Sequence, residues 1–164
     1  MIEPQAKRDV PPPKLVAAWL KLDVLVDPAR VPMWAAYWVV DGMDTPALRD
    51  LAGFDGCDPF EVRQLTAKAL DEMRVVVNDL HEAAELVLTD EAERCLAGRT
   101  SERALAKALD DLYVRSGYAD EILRQPLGAD YGIDDEWVGG WGRTEDQLRD
   151  AVRVACTRQV AHRA

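Results

Sequence analysis

A chain of 164 residues that is 48% apolar holds enough material for one packed domain, and its formal charge of −10 works against binding to nucleic acid or an anionic membrane surface. No apolar run approaches the roughly 20 residues needed to span a bilayer, and the N-terminal residues lack a signal-type apolar core. The three cysteines, Cys57, Cys95 and Cys156, are widely separated and odd in number, which excludes a disulfide framework and points to a reducing, cytoplasmic setting.

Residues 1–13 read as a flexible arm that ends in a short polyproline II element, Pro11-Pro12-Pro13. Residues 14–164 read as a single helical domain. The first helix is expected from Lys14 to about Val26, with Leu15, Ala18, Trp19, Leu22 and Leu25 on one face. Asp27-Pro28 interrupts it. Val31 to Asp41 is apolar almost all round, which predicts a buried central helix stopped by Gly42. Thr45-Pro46 pairs a capping hydroxyl with proline at the first helical position, and Asp58-Pro59-Phe60-Glu61 repeats the device with an acid. These open helices over Ala47–Leu51 and Pro59–Met73, the second facing inward through Val62, Leu65, Ala69 and Leu70.

Arg74–Val77 is compatible with a break or with continuation into the next helix, which reaches about Ala97 and ends at Gly98. Ser101 to Val114 follows, buried through Leu105, Ala108, Leu109 and Leu112, and then a short helix over Tyr118–Leu123. Tyr131 to Thr144 reads as a connector outside any helix. Thr144-Glu145-Asp146-Gln147 has the capping-box pattern before a last helix, Leu148–Val160. With six to eight helices and no period-two alternation, the expected fold is all-α: an irregular, orthogonal-type bundle.

The connector holds the residues of most chemical interest. Asp134, Asp135 and Glu136 meet Trp137, Trp141 and four glycines, with Arg143 just before the cap. Glycine loses much backbone freedom on ordering and tryptophan needs burial, so a segment that combines them is expected to be ordered. An acid–base pair of carboxylates beside indoles has precedent where sugars or cations are held, but nothing assigns one here, and no catalytic residue is proposed. Gly139–Thr144 precedes a helix start and so offers amides to an anion, yet it lacks the Lys-Ser/Thr ending of a nucleotide loop and follows three acids.

His81 and Glu85 share a helical face near Asp79 and Glu82, but two histidines in the whole chain fall short of a metal set, so no metal or cofactor is expected. Cys57 lies before a helix N-terminus, where the dipole favours a thiolate and Asp58 opposes it; no histidine is adjacent to act as base. Trp19, Trp34, Tyr37 and Trp38 are expected in the core.

The segments Asp44–Gly53 and Ile133–Trp137 with Gly140–Thr144 resemble small, all-helical acidic proteins of high-GC actinobacteria, a group with no assigned activity. The resemblance spans most of the chain and implies, at most, an immunity- or antitoxin-type neutraliser of a basic partner. The leading expectation is a non-enzymatic cytoplasmic protein-binding module that receives a basic protein on Asp134, Asp135, Glu136, Trp137, Trp141 and Arg143. The alternatives are a small-molecule binder or enzyme with a pocket between helix 31–41 and segment 131–144, and a structural subunit or homodimer.

Overall fold

The computed structural model describes residues 9–24 and 27–162. Most of the expected N-terminal arm, and Leu25 and Val26 at the expected end of the first helix, lie outside them. The protein is all-α: 70% helical, with nine α-helices and no strand among the described residues. Its packing falls into two compact units, one holding residues up to Lys21 and on to Asn78, the other holding Leu22–Val24 and the chain from Asp79 onward.

In the first unit, α1 (Pro13–Lys21) starts on proline and buries Leu15, Val16, Ala18 and Trp19. It ends five residues short of the expected position, at a turn where Asp23 adopts φ 62°. Residues 9–13 are not a loose arm: Pro11 is buried, and its carbonyl accepts a 3.0 Å hydrogen bond from the indole Nε1 of Trp38. A 3₁₀ turn over Pro28–Arg30 leads into α2 (Val31–Val40). This helix is one-sided rather than buried all round. Val31, Trp34, Ala35 and Trp38 face inward, whereas Met33, Ala36 and Val40 face outward. The even apolar distribution hid the asymmetry, because hydrophobic content alone does not say which side meets a neighbour.

Helix α3 (Pro46–Ala52) is capped by Thr45, whose hydroxyl accepts from the Leu48 amide at 3.3 Å. A second first-turn amide, that of Ala47, donates to Glu72 Oε2 at 2.8 Å, which ties α3 to the end of α4 (Pro59–Glu72). Asp58 caps α4 through the Phe60 and Glu61 amides. The inward face of α4 uses Thr66 in place of the expected Leu65. The Thr66 hydroxyl returns to the Val62 carbonyl at 2.6 Å, which satisfies its polarity inside the core. Residues 74–78 are a break, with Arg74 at φ 57° ending α4.

The second unit is built on α5 (Leu80–Leu96) and α9 (Glu145–His162), which pack extensively on each other. Asp79 caps α5 at the Glu82 amide, 2.8 Å. Val87, Leu88 and Ala92 of α5 and Leu148, Val152 and Ala155 of α9 are all buried; each large aliphatic side chain so buried contributes on the order of 1.5–3 kcal/mol. Helix α6 (Glu102–Arg115), capped by Ser101, inserts Leu105, Ala106, Leu109 and Leu112, with Ala106 in the place expected for Ala108. Helix α7 (Asp120–Leu123) buries Ile122 and rests on α5.

Polar groups are also buried in this unit. Gln159 Nε2 donates to Thr89 Oγ1 at 3.3 Å and to Gln125 Oε1 at 3.0 Å, and Gln159 Oε1 accepts from the Leu127 amide at 3.1 Å. One side chain of α9 thus fixes α5 and the chain after α7. Such a network specifies one arrangement, because any shift leaves a desolvated amide unpaired.

Candidate functional site

The segment from Tyr131 to Thr144 also departs from expectation. Ile133–Gly139 is a helix, α8, where a connector outside any helix was predicted. It is seven residues long, and glycines at both ends hold left-handed conformations, Gly132 at φ 95° and Gly140 at φ 65°. The glycines that suggested a loop are its terminators. Asp134, Asp135 and Glu136 occupy the first turn, where acids are favoured by the helix dipole.

The six expected contact residues separate into three roles. Trp137 is 6% exposed and points into the core with Ile133 one turn before it, so it anchors α8 and is not available as a surface contact. Glu136 and Arg143 hold each other. Arg143 Nη2 donates to Glu136 Oε2 at 2.8 Å, its Nε donates to Oε1 at 3.1 Å, and the Arg143 backbone amide donates to Oε1 at 2.8 Å. Asp134, Asp135 and Trp141 remain on the outside. Asp135 is exposed, Asp134 half-buried, and neither is paired with a cation among the described residues.

Trp141 is 66% exposed, and Val138, three residues before it in the last turn of α8, is 70% exposed. The indole lies directly on Gly139: a Cβ there would fall 2.5 Å from Trp141 Cδ1. Gly142, at φ 83°, lies against the Glu136 carboxylate, and a Cβ on it would fall 2.6 Å from Oε1. Two glycines therefore provide the seat and the return path. The Glu136–Arg143 clamp closes the loop, and the Thr144–Gln147 capping box completes it, with Thr144 N donating to Gln147 Oε1 at 2.9 Å and Gln147 N donating to Thr144 Oγ1 at 3.3 Å. An exposed aromatic side chain thus rests on a glycine within a loop that the clamp and the capping box close.

The clamp also decides against an anion cradle. The amides of residues 143 and 144 are already bonded to Glu136 and Gln147. The Arg143 side chain and amide hold the Glu136 carboxyl down to about 2. The folded value lies below the ordinary value of 4.5, so the stabilisation from this group is complete at neutral pH and is lost as pH falls toward about 2. The Trp141 indole resonance should therefore hold its position from pH 7 to below 4.5 and move only near pH 2. A midpoint at 4.5 would contradict a closed clamp.

On the same unit, three tyrosines that the sequence reading did not connect come together. Tyr113 on α6 meets Tyr118 edge-on with ring centroids 5.4 Å apart, and Tyr131 at 4.7 Å. The Gly132 amide donates to Asp110 Oδ1 at 3.3 Å. Burial raises the Asp110 carboxyl above the usual range, with Asp134, Asp135 and Asp111 adding to the rise against the Gly132 hydrogen bond.

The other candidates gain little. Cys57 is exposed, and Asp55 raises its thiol value rather than leaving it poised as a thiolate. No three His, Cys, Asp or Glu side chains among the described residues converge to hold a metal ion. In the first unit, a cleft of about 310 Å³ is lined by residues 10–13 with Tyr37, Trp38, Asp41 and Met43. No helix among the described residues is long and apolar enough to cross a membrane. No protein-family model matches the chain, and no curated protein or solved structure matches it.

Proposed function

We propose that this chain is a non-enzymatic, cytoplasmic protein-binding module for a basic partner, of the neutralising kind that its resemblance to acidic actinobacterial proteins implies. The observation that carries the reading is Trp141: a large aromatic side chain two-thirds exposed, yet held by the Gly139 seat and the Glu136–Arg143 clamp. A tryptophan exposed to water in the free protein is costly to hydration. An indole that already rests on Gly139 leaves less freedom for binding to remove, which suits it to be a binding anchor. Val138 widens the apolar contact, and Asp134 and Asp135 supply negative charge at its edge. The net charge of −10 speeds encounter with a positive partner. Glu136 and Arg143 shape the surface, and Trp137 supports it from beneath.

The test is affinity capture from native lysate with wild-type chain and with Trp141→Ala and Asp135→Lys variants, at low salt and at about 0.5 M salt, where the Debye length falls well below 8 Å. A basic protein should be retained by wild type, weakened by salt, and lost from both variants. Equal retention by all three would refute the reading.

The cleft at Tyr37 and Trp38 supports a second reading, small-molecule binding by the first unit. A metabolite screen by thermal shift distinguishes it, since a ligand bound only by the folded state raises the melting temperature.

A further inference from the structure

The tyrosine cluster extends the docking surface in a chemically specific way. Tyr118 is 61% exposed, and Tyr131 is exposed as well, while Tyr113 between them is partly covered. Main-chain bonds set the backbone at two of the three positions. Tyr118 N donates to the Tyr113 carbonyl at 2.9 Å, and Tyr131 N donates to the Gly128 carbonyl at 3.1 Å. Tyr118 also holds φ 63°, a backbone conformation that side-chain-bearing residues seldom adopt and that glycine would adopt without strain. Tyrosine here carries backbone strain and leaves most of its ring in water.

Carboxylates lie close by. Asp110 accepts from the Gly132 amide, next to Tyr131, at 3.3 Å, and Asp110 and Asp135 are the carboxylates that act on Tyr131. Aromatic faces and carboxylates attract the same thing, a cation with an exposed, weakly hydrated surface. We propose that Tyr118 and Tyr131, packed on Tyr113 and bordered by Asp110 and Asp135, seat a lysine or arginine side chain of a basic protein segment. The seat rests on the docking reading above and names the group that the partner places there, while Trp141 takes an apolar one.

The test uses the full chain with its four tyrosines isotope-labelled in the ring, titrated by NMR with triarginine, trilysine and acetylated trilysine peptides at low salt. Tyr118 and Tyr131 should shift saturably with the cationic peptides, Tyr37 should not, and the acetylated peptide should produce no shift. The ratio of the two cationic affinities tells guanidinium from ammonium. Tyr118→Leu combined with Tyr131→Leu should weaken binding roughly tenfold, the size expected for two exposed cation–π contacts. Tyr118→Gly should weaken it too without lowering the melting temperature, a result that a purely structural Tyr118 would not give. No saturable shift, or an equal shift with the neutral peptide, overturns the seat.

Failure of the seat and failure of the docking reading are separable. Trp141→Ala should abolish partner capture and leave the tyrosine titration intact. If the rings titrate but wild type captures no basic protein, the docking reading fails and takes the protein partner with it, while the binding of a cationic side chain by the rings is upheld. If capture succeeds and the rings stay silent, the seat alone fails.

Discussion

Gly128→Ala should lower stability by about 3 kcal/mol or more, at the upper end of the range for inserting atoms into a packed site. Gly128 opens the 3₁₀ turn after α7, and a Cβ there would land on the Ile122 carbonyl oxygen, 2.6 Å from the Ile122 carbonyl carbon and 3.2 Å from Leu123 Cα. The obstruction is main chain, so no rotamer change relieves it. Either α7 must move off α5 or the turn must open. Opening the turn would disturb the Ala129–Gln125 and Tyr131–Gly128 backbone bonds and, through Gln125, the buried Gln159 network. For a chain of this length the melting temperature should fall by roughly 6–12 °C. A fall corresponding to less than about 1 kcal/mol would show that the turn packs less tightly against α7.

Trp137→Ala should destabilise by about 3–5 kcal/mol, the cost of emptying a large aromatic site in a core. Trp137 and Ile133 are the buried residues of α8, and a seven-residue helix has little stability of its own. Without the indole, α8 should detach and take the Trp141 frame with it. Trp137→Phe should lose less than half as much. The Trp137 Nε1 has no acceptor among the described residues, so the phenyl ring removes volume without breaking a hydrogen bond. Chemical denaturation of the two variants checks this; equal losses would mean that the indole N–H makes a necessary bond. Trp141→Ala is the matching contrast. It should leave stability nearly unchanged, because its side chain is mostly in water.

The helices were legible where sequence chemistry acts locally. Thr45-Pro46, Asp58-Pro59 and the Thr144–Gln147 box each mark a start that the structure uses, since a capping side chain needs only its own next few amides. Inward faces were read less well. Thr66 and Gln159 are fully buried although polar, and each is satisfied by partners that no periodicity rule reveals: the Val62 carbonyl for one, Thr89, Gln125 and the Leu127 amide for the other.

The candidate site was half legible. The acids, tryptophans and glycines of 131–144 marked the right segment. The division into buried Trp137 and exposed Trp141 depends on the α8 helix, which is too short and too glycine-flanked to show a period. The Glu136–Arg143 pair spans seven residues, one return of the chain beyond helical spacing. The tyrosine cluster was invisible, because Tyr113, Tyr118 and Tyr131 come from three elements.

The measurement that tests the central claim most directly is the dissociation constant of the captured basic protein for wild type and for Trp141→Ala, with melting temperatures recorded alongside. An exposed anchor predicts a weakening of about 30-fold or more, corresponding to the roughly 2 kcal/mol of a hot-spot residue, with the melting temperature unchanged. Equal dissociation constants for the two proteins would contradict the assignment of this surface as the binding site.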